Sequence, residues 1–190
     1  LKWIDKNDGE RMFIYMQTID PHVPYSPPKA WREKYWNKDY TGPIRPQATG
    51  NQLAKIKTKK MKLSAQDKKY LEALYDGEVA FNDHSLGRLL GELQSRGLWD
   101  RTIVAFTSDH GEEFFEHGNR GHRQMLYDEV LRVPLLIVAP RSERRAAGPT
   151  HCPRQVALCD ILPTVLDYVG GPEPENCWGH SLRPLVEGGD

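Results

Sequence analysis

Charge of one sign is the first thing this 190-residue chain lacks: 26 Lys and Arg are matched by 26 Asp and Glu, so the formal net charge is zero. That balance excludes a global electrostatic pull toward nucleic acid or an anionic membrane surface, and any such attraction has to be local. No apolar run approaches the roughly 20 residues that a bilayer-spanning helix needs, and no signal peptide is visible. Cysteine is sparse. Cys152, Cys159 and Cys177 cannot all pair internally, and they include no metal-binding Cys-x-x-Cys, so they leave the redox compartment open. The 38% of hydrophobic residues is enough to build a core of one-domain size.

What is present is concentrated after one apolar run. Ile103-Val104-Ala105-Phe106 has the length and the β-branched and aromatic character of a strand buried on both faces, and it stops at Thr107-Ser108-Asp109-His110-Gly111-Glu112. In open α/β sheets ligands gather beyond the carboxyl ends of strands, which is where Asp109 and His110 fall. A carboxylate beside an imidazole is the layout of a metal or acid/base site. The same dipeptide also suits a helix cap followed by a surface histidine. Downstream, Glu112, Glu113, Glu116, His117, His122 and Arg123 crowd around Gly118 and Gly121, and residues 135–139, with Pro134 and Pro140 at either end, read as a second core strand.

The remaining pattern alternates. Residues 13–17 read as a strand and residues 21–62 as a long irregular loop, whose Lys55, Lys57, Lys59, Lys60 and Lys62 have no interleaved aromatic side chain and suit a solvated surface or a polyanionic substrate better than nucleic acid. Residues 64–96 predict one long helix: Ser64 caps it, Asp67 complements its amino end, Leu71, Leu74, Tyr75, Phe81, Leu86, Leu89, Leu90 and Leu93 form an apolar face, and Gly97 stops it. Its Asp76, Glu78, Asp83 and His84 are assigned to the solvated face. Helices alternating with strands at 102–107 and 135–139 predict an α/β fold with a mostly parallel sheet flanked by helices.

Taken together, Phe106-Thr107-Ser108-Asp109-His110-Gly111-Glu112, Glu116-His117-Gly118, Gly121-His122, Leu126-Tyr127 and Arg132-Val133-Pro134-Leu135 resemble the C-terminal half of the sulfatase branch of the alkaline phosphatase superfamily. Upstream, Phe13-Ile14-Tyr15-Met16-Gln17, Asp20-Pro21-His22-Val23-Pro24-Tyr25 and Pro27-Pro28 are similar to the segment carrying an active-site histidine, and downstream Asp160-Ile161-Leu162-Pro163-Thr164-Val165-Leu166 and Gly179-His180-Ser181-Leu182-Arg183-Pro184-Leu185 resemble later family segments. The resemblance implies an alkaline-phosphatase-like fold and metal-dependent hydrolysis of sulfate esters. It makes Asp109 and His110 metal ligands, His22 and His122 catalytic imidazoles, and His117 an orienting residue. The cation implied is calcium foremost, with manganese also compatible, because the family more often has Asn where His110 stands.

The family's nucleophile motif, Cys/Ser-x-Pro-x-Arg, and two further acidic metal ligands have no match here. Cys152-Pro153-Arg154 has the wrong spacing, and Cys152 reads as a structural or incidental thiol. The expectation is therefore a partial catalytic domain over residues 1–190, with the loop at 21–62 and a C-terminal extension at 171–190. A formylglycine nucleophile would lie in the remaining part of a parent chain, and the isolated piece would be inactive. Expected partners are a sulfate-ester small molecule or sulfated glycan and that remaining chain, with no nucleic acid and no membrane span; a periplasmic or secreted parent is compatible. Two alternatives stay open: a phosphonate or phosphodiester hydrolase or phosphoglycerol transferase of the same superfamily, and a sulfatase-like binding module without catalysis.

Overall fold

A computed structural model describes residues 1–58, 60–122, 125–144 and 151–188, so that Lys59 and Arg123, named above, lie outside the described residues. In chain order the elements are α1 (Lys2–Lys6), α2 (Lys29–Tyr35), α3 (Thr49–Lys57), α4 (Ala65–Ser95), β1 (Val104–Thr107), β2 (Glu113–Phe114), β3 (Arg120–Gly121), α5 (Asp128–Leu131), β4 (Leu135–Val138), α6 (Ile161–Val169) and α7 (Arg183–Val186). They fall into two compact units, one of Leu1–Glu92 with Phe114–Arg120, the other of Leu93–Glu113 with Gly121–Asp190. No helix among the described residues is long and apolar enough to cross a membrane.

The backbone of the first unit is α4, and its boundaries follow from local chemistry. Ser64 Oγ accepts from the Asp67 N–H at 3.2 Å while the Ser64 N–H donates to Asp67 Oδ2 at 2.8 Å, a reciprocal pair that satisfies two otherwise orphaned donors. Tyr40 donates its hydroxyl to Asp67 Oδ1 at 2.5 Å. Burial alone would raise the Asp67 pKa, but the hydrogen bonds from Tyr40 and Ser64 outweigh it and hold the carboxyl below its usual range. The Tyr40 hydroxyl is in turn pushed up to about 12, first by burial and then by its bond to Asp67. The apolar face of α4 supplies Tyr70, Leu71 and Leu74 to a core shared with Tyr25, Ile44 and Leu53.

Two expectations fail in this unit. Residues 21–62 are not one irregular loop: they contain α2, a single 3₁₀ turn at Pro46–Ala48 and α3, because Tyr25, Ile44 and Leu53 give this stretch its own inward-facing anchors. Residues 13–17 form no strand and pair with no other segment among the described residues, and Phe13 is 80% exposed. A strand needs a neighbour to accept its ladder of hydrogen bonds, and none pairs with this segment among the described residues. Glu78 also departs from its assignment to the solvated face, being only 3% exposed.

In the second unit Gly97 ends α4 in the left-handed region at φ 66°, and the Leu98 N–H reaches back to the Leu93 carbonyl at 2.9 Å. β1 and β4 pair in register from Val104 opposite Val138 to Thr107 opposite Leu135, and the pairing is antiparallel, not parallel as the alternation suggested. The reason is the connection: between the two strands the described residues make only short β-segments and the four-residue α5, with no helix among them long enough for a crossover. Nor is β1 buried on both faces, since its sheet has two strands and Phe106 and Leu136 remain exposed.

The segment after residue 171 folds back on α6. The Leu182 N–H donates to Thr164 Oγ1 at 2.8 Å, and Arg183 bonds the carboxylates of Asp167 at 3.2 Å and Glu143 at 2.9 Å. All three cysteines are free thiols, Cys152 and Cys159 on the surface.

Candidate active site

β1 ends at Thr107, and the turn that follows is built by its own side chains. Thr107 Oγ1 donates to the Pro134 carbonyl at 2.8 Å, which ties the strand end to the start of β4, and Ser108 Oγ donates to the His110 carbonyl at 2.6 Å. Gly111 donates its N–H to the Val130 carbonyl at 2.8 Å, and a Cβ there would stand 2.0 Å from the Glu129 carbonyl oxygen. Only glycine allows this approach, which seats the Asp109-His110 turn against α5.

Asp109 points out, its side chain 76% exposed, with Oδ1 accepting the His110 N–H at 3.1 Å. His110 Nδ1 lies 2.8 Å from the Gly111 carbonyl. A carbonyl only accepts, so Nδ1 carries the proton and the lone pair of the neutral ring is on Nε2. That Nε2 is 3.9 Å from Asp109 Oδ1. Ligand distances of about 2.0–2.6 Å allow one divalent cation to touch both atoms. The donor set therefore fits a metal: one hard carboxylate oxygen and one imidazole nitrogen in the correct tautomer, both at the tip of a strand. Among the described residues no group of three or more His, Cys, Asp or Glu side chains is arranged to hold an ion, so this pair is at most part of a ligand sphere.

His122 joins them. Its ring stacks on His110 with centroids 3.8 Å apart and planes at 26°. Its Nδ1 is 3.3 Å from Glu112 Oε2, and the Glu112 side chain is only 8% exposed. The turn after β1 and the segment after β3 thus bring Asp109, His110, Glu112 and His122 into one cluster. Glu112 has no role in the sequence reading beyond its place in a polar crowd. No local pattern in the sequence marks it: the pairing of β2 with β3 folds residues 112 and 122 back toward each other around Gly118.

His22 belongs to the first unit. Its N–H donates to the Ile19 carbonyl at 2.8 Å, and Nδ1 is 2.8 Å from the Val23 carbonyl, which again puts the neutral ring's proton on Nδ1. His117, in the same unit, is exposed on the loop between β2 and β3.

Comparison with known proteins gives this geometry a context. A sulfatase family model matches residues 1–171. The chain is 27% identical over 211 residues to the multifunctional alkaline phosphatase superfamily protein PehA of Trinickia caryophylli, an alignment covering all of this chain and 40% of the relative. It is 28% identical to an arylsulfatase of Clostridium perfringens, covering 96% of this chain and 39% of that one. The crystal structure of a phosphonate monoester hydrolase from Agrobacterium radiobacter superposes with a TM-score of 0.80 at 25% identity, over 100% of this chain and 40% of that one. The chain thus spans about two fifths of the length of these relatives. The likeness establishes the alkaline-phosphatase-like α/β fold class.

Proposed function

Because the chain belongs to the sulfatase family, we propose that in the intact protein it supplies part of the active site of a metal-dependent hydrolase of sulfate esters, acting on a small sulfate ester or a sulfated glycan. The observation that carries this reading is the pairing of Asp109 Oδ1 with the lone-pair nitrogen of His110 at 3.9 Å, with His122 stacked beside it. Asp109 and His110 would hold the cation, calcium or manganese, which when bound supplies positive charge for the ester's anionic oxygens. The nucleophile, a formylglycine, and the remaining ligands are proposed to come from the rest of the parent chain.

The side chains present here have separable tasks. Glu112, buried behind His122, accepts from Nδ1 and so orients the ring that we assign to the sulfuryl or phosphoryl oxygens of the substrate. His22, with Nδ1 committed to the Val23 carbonyl, takes up or gives a proton at Nε2, the role needed at the ester oxygen or in breakdown of a covalent intermediate. Asp109→Ala in the intact protein should lower both bound metal, measured by elemental analysis, and turnover by at least about 100-fold. Full activity with full metal content would refute the ligand assignment.

A second reading, hydrolysis of phosphonate or phosphate esters, is favoured by His110 standing where the calcium sites carry Asn and by the similarity to a phosphonate monoester hydrolase. Matched aryl sulfate, phosphate and phosphonate esters offered to the intact protein separate the two. A kcat/KM higher for the phosphorus esters would overturn the sulfate reading and retain the hydrolase. For the isolated chain we expect weak or no metal binding by calorimetry and no turnover.

A further inference from the structure

The segment of residues 18–26 carries His22, and it is fastened along α4 on both sides of the imidazole. Upstream, the Asn82 side-chain amide donates to Thr18 Oγ1 at 3.0 Å and to the Asp20 carbonyl at 2.9 Å. Downstream, the Ser26 N–H donates to Glu78 Oε1 at 2.6 Å, and the Tyr25 N–H to the buried Thr49 Oγ1 at 2.6 Å. Glu78 and Asn82 are four residues apart and so share one face of the helix. Pro21 and Pro24 have no N–H to give, so the segment's own bond from the His22 N–H to the Ile19 carbonyl is supplemented by donors and acceptors from outside it. A carboxylate that is 3% exposed on the apolar side of a core helix is a costly way to satisfy one backbone amide, unless the position of that amide matters.

We propose that Glu78 and Asn82 are positioning residues for His22: they pin the chain before and after it, and so hold the ring with its Nδ1–H on the Val23 carbonyl and Nε2 as the atom that exchanges a proton. The purpose of the arrangement rests on the reading of His22 as a catalytic imidazole; the fastening itself does not. Both parts can be separated in one experiment. Asn82→Asp keeps the side chain's shape but removes the amide donor and turns a carboxylate on two acceptor oxygens, while Asn82→Ala removes the contact without adding charge. In the 190-residue chain with ¹⁵N-labelled histidine, two-bond ¹H–¹⁵N spectra above pH 8 should show the Nδ1–H tautomer for His22. Both variants should shift the ring to a mixture of tautomers and speed exchange of the His22 amide by about tenfold, with helical circular dichroism unchanged. A ring that keeps its tautomer and its amide protection in both variants overturns the proposal. In the intact protein the same substitutions should lower kcat with little change in KM. If the ring is released and turnover does not change, the catalytic reading of His22 falls and the fastening stands.

Discussion

Glu78 should make the first unit less stable as pH rises through the mildly acidic range, opposite to the trend set by carboxylates in salt bridges. Burial raises its pKa from the ordinary 4.5 to about 7, with the charge of Asp20 adding to the rise and the Ser26 N–H opposing it. Oε2 is buried with no hydrogen-bond partner among the described residues, so the protonated form suits the site better than the ion. Between pH 4.5 and 7 the folded chain therefore binds more protons at this group than the unfolded chain, and the stability it contributes is fully present below 4.5 and lost by about 7. A rise of that size corresponds to about 3 kcal/mol. Residual solvent screening at the carboxyl lowers this to about 1–2 kcal/mol. Glu78→Gln keeps a carbonyl oxygen for the Ser26 N–H and removes the ionisation. Urea unfolding of both chains followed by circular dichroism from pH 4.5 to 8 isolates the group, since all other titrations cancel in the difference. The variant should gain about 1–2 kcal/mol on the wild type across that range, most of it between pH 5 and 7. Parallel stability curves with a constant offset would refute the reasoning.

Gly111→Ala should cost about 2–3 kcal/mol in the same denaturation experiment, because a Cβ 2.0 Å from the Glu129 carbonyl oxygen forces the turn away from α5; a cost under 0.5 kcal/mol would mean the approach is looser than the structure has it. Ser64→Ala should destabilise by about 1 kcal/mol through loss of the α4 cap, a change read from the urea midpoint at an unchanged m-value. His22→Ala in the intact protein should reduce turnover far more than thermal stability, given that the ring is exposed and its Nδ1 bonds to the carbonyl of the neighbouring Val23. A loss of stability with turnover per folded molecule preserved would identify His22 as structural.

How much of this was legible in the sequence depended on how local each cause is. α4 was read nearly to the residue because Ser64, Asp67 and Gly97 act within one turn of the helix ends and its apolar spacing needs no knowledge of the partner. The position of Asp109 and His110 beyond the end of β1 was equally legible, since it follows from where an apolar run stops. Strand partnership was not. Four apolar residues look the same whether the neighbour runs parallel or antiparallel, and the apolar run at residues 13–16 does not reveal whether a neighbour lies beside it. The stacking of His122 on His110 and the burial of Glu112 depend on a glycine-containing loop with no periodicity to read. Glu78 is different, because its signal was in the sequence. Leu71, Leu74 and Glu78 are spaced by three and four, the interval of the apolar stripe, and Asn82 continues it. A carboxylate and an amide on a stripe that is otherwise leucine and aromatic are out of place as solvated residues. At such positions the spacing of a polar side chain should weigh more than its type, and the question to ask is which backbone groups it satisfies.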